Sequence, residues 1–241
     1  MARQPRTFVD GSPVHVTVRG VDRQDIFFVD GDRTRFLTHL KEASVRYGLA
    51  IHAYVLMSNH VHFLATPATR SSLPKAMQYI GRRYIAYFNR RNERTGTLWE
   101  GRHKSGPVAC DFHFFACHRY IELNPVRAGL TAGPEAFHWS SYAGNALGRP
   151  DVLLTPHDEY LALGASEWER YAAYRSLFDE PIPRELMEEL RACSNRGWPL
   201  GDEAFRAAIE RDTGNQASPR RRGRKRKKEE ADPNSGRLPL A

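Results

Sequence analysis

Alternation of apolar and polar positions begins at Val14-His15-Val16-Thr17-Val18, a β-branched run with period two. It predicts a strand that Gly20 stops. Over residues 32–47, Phe36, Leu37, Leu40 and Tyr47 fall on one stripe, which predicts a helix with Gly48 at its C′ position. Residues 49–57 read as a second strand. Ser58-Asn59 makes a tight turn, and residues 60–66 make a third strand that Pro67 ends. Ser71 or Ser72 is positioned to cap the next helix, with Pro74 in its first turn. Leu73, Met77, Ile80, Tyr84 and Phe88 give that helix its apolar stripe. Residues 104–109 form a fourth predicted strand. Asp111 then caps a helix running to about Leu123, where Asn124-Pro125 breaks it.

The order β-α-β-β-α-β, followed by a helix, predicts an α+β fold: a ferredoxin-like antiparallel sheet with helices on one face. In that topology the first and third strands are central neighbours. Composition changes near Gly148. Residues 151–212 read as a polar, acidic helical extension, with helices expected over 166–178, 184–192 and 202–211. Residues 213–241 are poor in apolar side chains and read as a basic, disordered tail. The expected division is therefore 8–150, 151–212 and 213–241.

Charge sharpens the picture through its placement. The net charge is +8, and residues 220–228 alone carry eight positive charges, leaving 28 basic against 28 acidic elsewhere. Residues 70–105 hold nine Lys or Arg and two Asp or Glu; residues 151–212 hold seven and fourteen. The basic middle segment suits a polyanion. No run of 18 apolar residues exists and the start lacks an apolar signal segment, so no membrane association is expected. Cys110, Cys117 and Cys193 match no zinc spacing and are expected as free thiols in a reducing cytoplasm.

The candidate chemistry centres on His60 and His62. Side chains two apart on a strand share a face, so the two imidazoles make a pair of metal ligands. Asn124 offers a hard amide oxygen as a third ligand. Tyr120, four residues earlier, shares its helical face and offers a phenol. A metal that polarises a phosphodiester and a tyrosine that attacks it would make a covalent strand-cutting site. Each feature alone also has a plain structural reading: a core histidine pair, a core tyrosine, a helix stop, a solvated arginine face.

Two blocks, IHAYVLMSNHVHFLATP and ACHRYIELNPVRAGL, resemble the signatures of the Y1 transposases of the IS200/IS605 type, and among them the REP-associated tyrosine transposases. VHVTVRGVDRQDIFF, GTLWEGRHKSG and HWSSY support the resemblance, which spans roughly residues 8–150. It implies the HUH nuclease fold, with His60 and His62 as metal ligands, Asn124 as the third, and Tyr120 as the nucleophile that forms a 5′-phosphotyrosine and leaves a 3′-OH. It further implies Mg²⁺ or Mn²⁺ as cofactor. The implied partner is single-stranded DNA beside REP-like hairpins, bound by a monomer in preference to a dimer, in a bacterial cytoplasm at the nucleoid.

Arg82, Arg83, Arg90, Arg91, Arg102 and Lys104 are then candidates for the DNA path, and Arg220, Arg221, Arg222, Arg224, Lys225 and Arg226 for a basic tether. Tyr84, Tyr87 and Trp99 are candidates for base stacking, with Tyr84 also on the apolar stripe. The competing reading is a domesticated hairpin-binding protein without catalysis. A replication or conjugation initiator of the same superfamily is a third, unsupported by any helicase or relaxase segment.

Overall fold

A computed structural model describes residues 7–110 and 112–218. Four strands form one antiparallel sheet: β1 (Val14–Arg19), β2 (Leu49–Leu56), β3 (His60–Pro67) and β4 (Lys104–Pro107), in the order β2-β3-β1-β4. The first and third strands are the central pair, as the topology requires. Helices α1 (Asp30–Tyr47) and α2 (Ser72–Arg91) complete the split βαβ unit. Gly48 ends α1 in the left-handed conformation, φ 68°, where its N–H bonds the Ser44 carbonyl.

Strand parity explains the two sides of the sheet. Val14, Val16 and Val18 of β1 and Val61, Phe63 and Ala65 of β3 bury against Phe36 and Leu40 of α1 and against the Leu73, Ile80, Tyr84 and Phe88 stripe of α2. The expected single helical face thus holds for α1 and α2. The opposite side is also covered. There Ala53, Val55 and Leu64 pack on Phe114, Cys117, Tyr120 and Ile121 of α3 (Phe112–Glu122). A bulge makes this possible in β2: Ile51 pairs with Ala65 and Ala53 with Leu64, so His52 is the extra residue and the alternation changes sides.

The remaining helices are α4 (Asn124–Arg127), α5 (Tyr142–Leu147), α6 (Asp158–Leu161), α7 (Glu167–Ser176), α8 (Arg184–Arg196) and α9 (Glu203–Thr213). Leu190 and Cys193 of α8 join the α3 side of the core. Both sheet edges are met by other chain: Leu56 N–H bonds Trp139 O on the β2 edge, and Leu200 N–H bonds Pro107 O beyond β4.

Several expectations need correction. β4 stops at Pro107, because Ala109 already donates to Leu200 O. Neither serine caps α2 through its side chain; Ser72 Oγ instead accepts from the Thr69 N–H. Asn124-Pro125 does not simply end a helix. It starts the short α4 directly after α3, with Pro125 in the first turn where no N–H is needed. α8 runs on to Arg196, ending at a left-handed Gly197. The three cysteines are free thiols. The Asp111 cap and the 220–228 tail lie outside the described residues.

Candidate active site

The apolar side of the sheet decides what gathers on the other. With three valines of β1 turned toward α1 and α2, His15, Thr17 and Arg19 must point away from them. Register sets Thr17 beside His62 and Arg19 beside His60. His62 Nδ1 lies 2.9 Å from His15 Nε2 and 3.0 Å from Thr17 Oγ1. His60 Nδ1 donates to Asn59 Oδ1 at 2.6 Å. The rings of His60 and His62 stand 5.0 Å apart and nearly perpendicular. Asn124, carried by α4, reaches His60 with a side-chain hydrogen bond.

Burial keeps these imidazoles neutral. His15 and His60 are both pushed down to about 4, first by burial and then by Arg127 and Arg19 respectively. His62 lies well below its ordinary value, again chiefly through burial. Neutral rings keep a nitrogen lone pair at neutral pH. With Nδ1 of His62 engaged by His15 and Thr17, its Nε2 is the atom left to bind a cation, while His60 spends Nδ1 on Asn59.

Tyr120 stands edge-on to this group, its ring 5.8 Å from both His15 and His62. The Arg127 guanidinium lies 4.4 Å above that ring and donates to the Tyr120 carbonyl at 2.7 Å. The side chain of Ser194, from α8, hydrogen-bonds Tyr120, and its hydroxyl lies 3.1 Å from Thr17 Oγ1. Tyr120 is only 7% exposed. Burial raises the phenol, outweighing Arg127, Ser194 and Arg191, which pull it down.

Glu122 anchors α3 from behind. Fully buried, it accepts from Ser141 Oγ at 2.5 Å, Asn145 Nδ2 at 3.0 Å and Tyr174 Oη at 2.8 Å. Burial pushes its carboxyl up to about 7 against those three bonds. Tyr174 Oη also lies 3.0 Å from His118 Nδ1, so α5 and α7 hold the tyrosine helix through one polar network.

Among the described residues, no group of three or more His, Cys, Asp or Glu side chains is arranged to hold a metal. His60, His62 and Asn124 form a different donor set, two imidazoles and one amide. Neutral nitrogens and a hard amide oxygen suit a divalent cation that keeps several waters.

Residues 9–124 match the model of the family described as Transposase IS200 like. These residues are an IS200-like transposase domain. No curated protein matches the chain. Among solved structures, the chain is similar to a REP-associated tyrosine transposase bound to a REP hairpin. The TM-score is 0.50 at 15% identity, over 65% of this chain and 93% of that one, which shows a shared fold. A candidate transposase from Deinococcus radiodurans R1 also matches, with a TM-score of 0.36 at 18% identity, over 55% of this chain and all of that one.

In the transposase domain, His60, His62, Tyr120 and Asn124 come together from β3, α3 and α4. Arg102 and Lys104 line a cleft that also includes Thr17 and Arg19. Arg82, Arg83, Arg90 and Arg91 do not join the site, because α2 packs on the other side of the sheet. There Arg91 pairs with buried Asp32 at 3.4 Å, and Arg83 lies 4.5 Å over the Tyr79 ring. Tyr84 is a core residue that donates to Ile26 O and stacks on Trp99. Tyr87 donates to Asp32.

Sequence reasoning missed His15, Thr17, Arg19, Arg127 and Ser194. The first three were visible as polar positions at period two in a strand paired with the histidine strand. Arg127 stands seven residues beyond Tyr120, on the same side of two successive helices. Ser194 had no local signal, being 177 residues from Thr17.

Proposed function

We propose that this protein cuts and rejoins single-stranded DNA beside a hairpin, with Tyr120 as the covalent nucleophile. The observation that carries the reading is the convergence of the Tyr120 ring on His15 and His62, beside His60 and Asn124. Tyr120 Oη attacks phosphorus, the bond from phosphorus to the 3′ oxygen breaks, and a 5′-phosphotyrosine forms. The proton lost from Oη is balanced by the one gained on the 3′ oxygen. Because one phosphate ester replaces another, the reverse attack by a 3′-OH rejoins the strand without an outside energy source.

Arg127 serves this step by its place over the phenol ring, where its charge favours the phenolate. Thr17 and His15 orient His62, and Asn59 orients His60. Mg²⁺ or Mn²⁺ held by His60, His62 and Asn124 would supply Lewis-acid polarisation of the scissile phosphate. The hairpin bound by the REP-associated transposase of similar fold supports REP-like palindromes as the DNA class. A monomer is the proposed acting form, with His60, His62, Tyr120 and Asn124 converging within one chain.

A second reading, hairpin binding without cleavage, is favoured by the burial of Tyr120 and its bond to Ser194. A denaturing gel decides between them. Wild type and Tyr120→Phe are incubated with end-labelled hairpin DNA from palindromes flanking the gene, in Mg²⁺, Mn²⁺ or EDTA. A slow protein–DNA adduct that requires both metal and Tyr120 is expected. Tight binding with no adduct in either metal would establish the second reading instead.

A further inference from the structure

A cleft of about 400 Å³ opens beside the histidines, between β1, the start of β4 and the turn that ends α8. Clefts that bind small ligands run from roughly 300 to 1,000 Å³. Thr17, whose hydroxyl holds His62, forms part of its wall and links it to the proposed centre. Arg19, Arg102 and Lys104 enter from the sheet side, and Arg196 from α8. Among the described residues Glu100 is the one carboxylate in the lining, and none of these four cations forms an ion pair. Four cations without carboxylate partners make a site for an anion.

The cleft also offers a ring. Trp198 lines it, with the Arg196 guanidinium 4.9 Å over the indole. The backbone that carries that indole is held by close contact with β4, and the ring packs against the α3 side of the core. Gly106 of β4 lies so close to the turn that a Cβ would run into the Trp198 carbonyl oxygen, and Gly197 takes φ 71° to make the turn. A recessed indole beside clustered cations matches the two halves of a nucleotide, a base face and a phosphate. Bases stacked within a duplex have no free face to offer it, whereas an unpaired base does.

We propose that this cleft takes one unpaired nucleotide of the DNA strand next to the scissile phosphate, with its base on Trp198 and its phosphate among Arg19, Arg102 and Lys104. The assignment rests on the DNA-processing reading above and deepens it. Part of the strand specificity then resides in the α8 turn, outside the region matched by the transposase family.

The test is binding in EDTA, where cleavage is suppressed. The probes are a fluorescent hairpin oligonucleotide from palindromes flanking the gene, with its native single-stranded tail, and the same hairpin made blunt. Wild type should prefer the tailed probe, and Trp198→Ala should weaken it roughly tenfold while leaving the blunt probe unchanged. One abasic position in the tail should weaken wild type and have no further effect on Trp198→Ala. Arg102→Gln and Lys104→Gln, both at exposed positions, should each lower the salt slope on the tailed probe by about one. They carry the test alone if Trp198→Ala fails to fold by circular dichroism. Equal binding of tailed and blunt DNA by wild type, or equal losses on both probes, overturns the proposal. Adduct formation without tail preference sinks the cleft alone; tail preference without an adduct sinks the enzymatic reading alone.

Discussion

On one side of the sheet, Val16, Val61, Phe63 and Phe36 are fully buried and ask nothing of their neighbours but contact. On the other, His15, Thr17 and His62 are almost as buried, at 6%, 6% and 3% exposed, yet each is hydrogen-bonded to another of the group. The same two strands build both sides. The apolar side determines register through close packing, and register then delivers polar groups to fixed places on the polar side. A site assembled this way takes its geometry from the packed sheet beneath it. The cost of burying its polar atoms is offset by their bonds to one another.

Neighbouring residues of β3 offer the sharpest way to break this contrast. Phe63 and His62 are adjacent in sequence and face opposite sides. Phe63→Ala should cost about 3–5 kcal/mol of stability, read by urea denaturation, through lost burial and the cavity left behind. Whatever fraction remains folded should still form the DNA adduct. His62→Ala should cost less, about 1–3 kcal/mol, from leaving His15 without its partner and Thr17 with Ser194 alone, and should abolish the adduct. If Phe63→Ala removed adduct formation from folded protein, the two sides would not be separable.

The pH dependence of stability contrasts buried acid and buried base. Glu122 carries a carboxyl pushed up to about 7. Between pH 4.5 and 7 the folded protein holds a proton that the unfolded chain has released, so this group lowers stability as pH rises through that window. His15, His52 and His60, each pushed down to about 4, work in the other direction. Between pH 6.5 and 4 the unfolded chain takes up protons that the folded chain refuses, so stability falls as pH falls.

Glu122→Gln isolates the first limb. The amide can donate to Tyr174 Oη, whose own proton then turns to His118 Nδ1, while its oxygen still accepts from Ser141 and Asn145. Stability of the variant relative to wild type should rise by about 3 kcal/mol from pH 4.5 to 7 and stay level above that. Denaturation curves at pH 5 and pH 8 check it. A difference independent of pH would show that Glu122 ionises in the folded protein as freely as in the unfolded chain.

How much of this was legible depended on distance along the chain. The His60 and His62 pair, the α1 and α2 stripes and the Gly48 stop are local periodicities, and each was readable from a dozen residues. The bulge at His52 was not, because an extra residue in an apolar strand leaves no mark on the hydrophobic pattern. His15 and Thr17 stood in plain view as polar positions of an alternating strand, but their partners follow from a register that only the packed sheet determines. The Ser71 and Ser72 caps failed because serine hydroxyls have several nearby backbone groups to choose from, and Ser72 bonds Thr69. The α8 turn, which brings Ser194 to Thr17 and Trp198 to Gly106, belongs to a segment whose composition is acidic and polar. Nothing in it signals proximity to a histidine strand.

Ser194 gives the smallest expected effect and the finest test of how the two parts of the site are joined. Its hydroxyl touches Tyr120 and Thr17, and through Thr17 it is one step from His62. Ser194→Ala should cost about 1 kcal/mol of stability, the ordinary worth of a hydrogen bond. It should also move the Tyr120 phenol further up, since the serine is one of the groups pulling it down against burial. An ultraviolet pH titration of Ser194→Ala and wild type, each taken as a difference against its Tyr120→Phe counterpart, isolates that one phenol. An upward movement ties α8 directly to the reactivity of the nucleophile. An unchanged titration with the same loss of stability would leave Ser194 as a packing contact, with Arg127 as the main group acting on the phenol.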